Sequence, residues 1–156
     1  MTTHPIKALT VMQPWAWAIM KVGKNIENRT PAWKYRGPLA IHAGGRWSER
    51  GGASPLIRGA WSDTSERPLN RGLFVCGAII GTVELVDVHP DAGCCRPWGE
   101  SAYVEHVKHS GRDRRQIMHL VLEQPRLLPE PIPCRGALGL WTPPAHVTAK
   151  LTGSAS

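Results

Sequence analysis

LFVCGAIIGTVELVDV (Leu73–Val88) is the stretch on which the fold turns. It is rich in valine and isoleucine and too long for one flat strand. Gly77 and Gly81 stand four apart, as expected where a strand bends or bulges round a barrel corner. Beyond Thr82, alternation puts Val83, Leu85 and Asp87 on one face and Glu84, Val86 and Val88 on the other. Working outward, Leu39–Ala43 (LAIHA), Lys7–Met12 (KALTVM), Arg115–Glu123 (RQIMHLVLE) and Leu138–Thr142 read as further short strands. Asn25–Thr30 (NIENRT) also reads as a strand, with Ile26 and Asn28 on one side and Glu27 and Arg29 on the other. Pro14–Val22 reads as a short helix whose Trp15, Ile19 and Val22 share a face, stopped by Gly23. Glu100–His109 reads as a second short helix. The sum is an α+β chain: a small, partly closed β-barrel of five to seven strands flanked by short helices.

The 156 residues suit a single domain, placed at 1–146. The 16 glycines and 14 prolines argue for strands and turns over a helical bundle. Six of those glycines fall between Gly44 and Gly72, which reads as a mobile surface insertion with short helices near Trp47–Arg50 and Leu56–Trp61. The small, polar residues 147–156 read as a frayed tail. The seven tryptophans, against two Tyr and one Phe, are large amphipathic groups for packing or recognition. With no apolar run for a membrane span and no signal-peptide core, the expected setting is the cytoplasm, away from membranes. The formal charge of +7 points to a polyanionic partner, in that setting nucleic acid. Cys76, Cys94, Cys95 and Cys134 show no C-x-x-C spacing and are expected as reduced thiols; neither a metal site nor a cofactor is expected.

Three motifs follow one another at short spacing: Gln13-Pro14-Trp15-Ala16, Gly23-Lys24-x-Ile26-Glu27-x-Arg29, and Tyr35-Arg36-Gly37-x-Leu39-x-Ile41-His42-Ala43. With Gly77–Asp87, Leu127–Pro133 and Trp141, they closely resemble the ASCH domain, a branch of the PUA-like β-barrel superfamily, from about Ala8 to Trp141. The resemblance implies that RNA or single-stranded nucleic acid binds in a cleft beside the barrel. It also implies two enzymatic alternatives known in the family: an amidohydrolase removing the acetyl group of N4-acetylcytidine, and a ribonuclease. In the acetylcytidine-hydrolysing members a Lys and a Thr are spaced K-x-x-T; Lys24 matches the Lys, but Glu27 occupies the Thr position. A carboxylate cannot replace that hydroxyl as nucleophile, though it can act as general base for a water, which makes Lys24 and Glu27 the candidate catalytic pair. For the family's third, acidic residue both Glu84 and Glu100 are candidates.

The residues also carry a reading of their own. Glu27, between Lys24 and Arg29, should stay ionised and fix both cations. Arg29 and Lys24 then meet a phosphate or base edge, with Arg the better bidentate donor. Gln13 offers a donor and an acceptor to a base, Trp15 or Trp33 a stacking surface, and Arg36 a phosphate contact. Against these stand plainer roles: an internal ion pair bracing the barrel, Trp15 in the core, a solvated Arg36 in its turn, and His42 as a hydrogen-bonded core histidine rather than a base. Three functions stay open: a module binding RNA, single-stranded nucleic acid or a modified nucleoside; a small hydrolase of N4-acylcytidine or RNA; and a protein-interaction domain whose basic surface only solubilises it.

Overall fold

The computed structural model describes residues 6–101, 103–105 and 114–153. Its main element is a six-stranded sheet built from β1 (Lys7–Gln13), β2 (Ile26–Arg29), β3 (Gly37–Trp47), β4 (Ala78–Pro90), β7 (Met118–Pro133) and β8 (Leu140–Trp141), in the order β2-β7-β4-β3-β1-β8. Only β1 and β3 run parallel; the other pairings are antiparallel. A separate pair joins β5 (Tyr103–Glu105) to β6 (Arg114–Gln116). The helix read over Glu100–His109 is therefore corrected where it is described: residues 103–105 form a strand, and 106–109 lie outside the described residues.

The sheet is rolled into a half-barrel. In the strand order β2 and β1 stand four places apart, which in a flat sheet is roughly 19 Å at about 4.8 Å per strand. Yet the Arg29 guanidinium on β2 donates through Nη2 to the Thr10 carbonyl on β1 at 2.9 Å. The rolling follows from the long strands β4 and β7, whose pairing shifts register between Ile79 and Gly81, Thr82 and Glu84, and Leu85 and Asp87. Gly81 is required at the first shift, because a Cβ there would meet the Met20 sulfur and lie 2.6 Å from the Arg126 carbonyl oxygen. Gly77 enters β4 with φ +70°.

Helix α1 (Trp15–Lys21) connects β1 to β2 and plugs the barrel: Ala16 and Ile19 are buried with Leu9, Leu39, Ile41, Leu85 and Leu120. The opposite face of the sheet is covered by α4 (Ala145–Gly153), whose fully buried Val147 packs with Ala8, Ala40, Ile79 and Ile132. The expected fraying from residue 147 is thereby corrected through residue 153. Residues 44–72, read as a mobile surface insertion with short helices near Trp47–Arg50 and Leu56–Trp61, begin as the last residues of β3 and continue as α2 (Glu49–Ala53) and α3 (Pro55–Thr64). Ser48 caps α2 by accepting from the Gly51 N–H at 2.9 Å. Ile57 is fully buried, and Trp61 sits edge-on to Trp17 at 5.5 Å with Phe74 against both rings. Trp47 also packs on Phe74, so three of the seven tryptophans fasten this segment to α1.

Candidate nucleic-acid cleft

The seam of the half-barrel, where β2 faces β1 and the end of β3, is a cleft of about 770 Å³. Strand alternation on β2 turns Glu27 and Arg29 into it, and Lys24 reaches its floor from the turn after Gly23. The three side chains converge. Glu27 accepts from Lys24 Nζ through Oε1 at 3.0 Å and from Arg29 Nη2 through Oε2 at 2.9 Å. Lys24 also donates to the Ile26 carbonyl and lies 5.5 Å from the Trp15 ring centroid. Burial pushes the Glu27 pKa up, but the Lys24 and Arg29 charges and their hydrogen bonds outweigh it and hold it at about 2. Such a carboxylate is a weak base near neutral pH, which argues against Glu27 activating a water.

Exposure separates the partners: the Lys24 side chain is 3% exposed, the Arg29 side chain 29%. Lys24 and Glu27 thus form a buried brace that aims Arg29. Both of Arg29's described hydrogen bonds use Nη2, to Glu27 and to the Thr10 carbonyl, and the residue lines the cleft. Arg46 and Arg50 stand exposed at the rim, and Arg50 pairs with Glu100 across it. Of the two candidate acidic residues, Glu100 lines the cleft and Glu84 does not.

Other expected site residues fall elsewhere. Gln13 is buried outside the cleft, donating to the Val75 carbonyl at 2.9 Å and accepting from the Trp17 N–H at 2.8 Å, so its amide staples α1. Trp15 lines the cleft, but it is held between Lys24 and Gly51 and donates to Ser48 Oγ at 3.0 Å, so it is a wall rather than a stacking platform. Trp33 packs against the core outside the cleft. Arg36, also outside, is spent on the Trp33 and Tyr35 carbonyls and on Asp87 at 3.7 Å.

Two groupings were not read from sequence, although His42 in the first was singled out there as a hydrogen-bonded core histidine, as it is here. Thr10 and His42 are partners in the parallel β1–β3 pairing, with Thr10 Oγ1 3.3 Å from His42 Nδ1. His42 Nε2 meets the Cys134 carbonyl at 2.8 Å, which assigns the proton to Nε2 and leaves Nδ1 to accept from Thr10. Trp141 Nε1 donates to the same hydroxyl at 3.2 Å. Gly136 passes so close that a Cβ there would lie 2.5 Å from Thr10 Oγ1. The other group is one for which no metal site was expected: His89, Cys94, Cys95 and His119 gather their donor atoms within 4.8 Å of one another.

No helix among the described residues is long and apolar enough to cross a membrane. No protein-family model matches the sequence, and no curated protein matches it. Among solved structures, the fold is similar to that of a mutant of ZmASCH, an ASCH protein from Zymomonas mobilis. The match has a TM-score of 0.56 at 12% identity and covers 96% of this chain and 98% of the other. The resemblance first carried by the motifs around Gln13, Lys24 and Tyr35 is thus matched by the fold: the chain shares the α+β, helix-flanked half-barrel fold of that ASCH protein.

Proposed function

We propose that the cleft binds RNA, as a single strand or as a nucleoside unit of one. The observation that supports this most directly is the Lys24–Glu27–Arg29 brace, which holds one half-buried guanidinium in a cleft rimmed by Arg46 and Arg50. A guanidinium fixed through Nη2 keeps its charge in the cleft for a phosphate, with Nη1 and Nε as single donors, and the rim cations extend the field along a backbone. Fluorescence anisotropy with a short labelled single-stranded RNA tests the reading. Binding should weaken steeply with salt, and Arg46→Ala together with Arg50→Ala should lower affinity at least tenfold. Absence of binding at low salt, or affinity indifferent to salt and to both substitutions, refutes it and favours the protein-interaction alternative.

The Thr10–His42 contact supports a second reading, hydrolysis of N4-acetylcytidine. The Thr10 oxygen attacks the acetyl carbon while its proton passes to His42 Nδ1. Cytidine leaves as its amine takes that proton, and water then releases acetate from the Thr10 ester. Chromatographic release of cytidine, abolished by Thr10→Val in a protein that keeps its circular dichroism, is the expected result. No cytidine, or unchanged release by Thr10→Val, removes this mechanism.

A further inference from the structure

We propose that His89, Cys94, Cys95 and His119 bind one zinc ion, or a similar tetrahedral thiophilic divalent cation, in a closed structural site. The donors come from three places in the fold. His89 lies near the end of β4, Cys94 and Cys95 in the loop that follows, and His119 at the start of β7 directly opposite His89 in the strand register. The spacing fits the ion. With zinc bonds of about 2.3 Å to sulfur and about 2.0 Å to nitrogen, a tetrahedron has sulfur–nitrogen edges of about 3.5 Å. Cys95 Sγ is 3.6 Å from His89 Nε2, and Cys94 Sγ is 3.8 Å from His119 Nδ1.

The surroundings orient both imidazoles toward that point. His89 Nδ1 lies 2.9 Å from the Pro90 carbonyl, an acceptor that requires the proton on Nδ1 and leaves the Nε2 lone pair facing Cys95. His119 Nε2 lies 3.1 Å from the Glu100 carbonyl and 3.3 Å from Asp91 Oδ1, so its lone pair is on Nδ1, facing Cys94. An acceptor behind each ligating histidine is the usual outer layer of a metal site. Asp91 is itself nearly buried and held by Arg96 at 3.2 Å and the Gly93 N–H at 3.1 Å.

Adjacent residues in extended chain point to opposite sides, yet both sulfurs join the cluster. The chain manages this with Cys95 at φ +64°, a conformation rare for a residue with a Cβ. Two thiolates and two neutral imidazoles balance a divalent charge, and four protein donors leave no open position, as in structural rather than catalytic zinc sites. The clip would hold the segment whose Trp98 carbonyl and Glu100 N–H bind the Asn28 side chain of β2.

The test uses reduced, chelator-stripped full-length protein titrated with Co2+, followed by Zn2+. One Co2+ per chain should bind with thiolate-to-cobalt charge-transfer absorption and be displaced by one Zn2+. Cys94→Ser and Cys95→Ser should each weaken Co2+ binding at least tenfold, and Cys76→Ser should not. A second measurement needs no variant: Zn2+ should protect Cys94 and Cys95, and not the exposed Cys76, from alkylation in the wild-type chain. No stoichiometric cobalt–thiolate spectrum, or a spectrum unchanged by both serine substitutions, overturns the proposal. So does a Cys94–Cys95 disulfide whose reduction yields no metal binding. None of these readouts depends on RNA.

Discussion

Neutralising Glu27 should unbalance the floor of the cleft. Glu27 is shifted from its ordinary 4.5 to about 2, a change worth about 3 kcal/mol at about 1.4 kcal/mol per pH unit. The folded-state value is the lower one, so this stability is fully present above pH 4.5 and drains away as pH falls through about 2. Glu27→Gln also leaves the Lys24 ammonium, 3% exposed, without its counter-charge. Removing one partner of a buried pair costs about 3–5 kcal/mol, so the two routes agree on a loss of about 3 kcal/mol at pH 7. Urea unfolding of wild type and Glu27→Gln from pH 7 to pH 2 reads it out. The gap between them should be constant down to about pH 5 and close toward pH 2, where both side chains are neutral. Lys24→Met combined with Glu27→Leu, which removes both charges, should recover to within about 1 kcal/mol of wild type. A gap that does not vary with pH, or a Glu27→Gln protein as stable as wild type, would show that the carboxylate is not held between two cations.

Other perturbations probe separate parts of the argument. Arg46→Ala should flatten the slope of log affinity for single-stranded RNA against log salt by about 0.7, the share of one phosphate contact, measured by anisotropy across a salt series. Gly81→Ala should cost about 1–3 kcal/mol in urea unfolding, because the new methyl would crowd the Arg126 carbonyl and the Met20 sulfur. Val147→Ala should cost about 2 kcal/mol in the same assay if α4 is packed, and nothing measurable if the chain frays from that point. Chelation should lower the melting temperature of the wild-type protein and leave that of Cys95→Ser unchanged.

What could be read from sequence follows from the range of the interactions. The barrel was legible because β-branched runs and the Gly77 and Gly81 kinks are local signals of bent strands. The Glu27–Arg29 pair was legible because strand alternation alone puts the two on one face. Gln13 was not, because an amide serves a base or a backbone equally well, and only the folded chain brings the Val75 carbonyl to it. Helix α4 was missed because Val147 and Leu151 lie among small polar residues, and their burial depends on a sheet face assembled from β1, β3, β4 and β7. Thr10 and His42 are 32 residues apart, and Cys94 and His119 are 25 apart; each contact depends on strand register, which no local spacing encodes.

The two unforeseen groups stand in different relations to the cleft. Thr10 and His42 line it directly, so substitutions there act on whatever the cleft holds. The His–Cys cluster reaches it through a chain of contacts: His119 to the Glu100 carbonyl, the Glu100 N–H to Asn28, and the Glu100 carboxylate to Arg50. Asn28 sits on β2 between Glu27 and Arg29, so displacement of the 94–100 segment would release the strand that carries the brace. Loss of the clip should therefore loosen β2 before the distant β1–β3 pairing. Amide exchange separates the two ideas: faster exchange confined to β2 and the 91–100 segment in Cys95→Ser supports the coupling, and uniform acceleration over the whole sheet would mean that the cluster supports the entire fold rather than this wall.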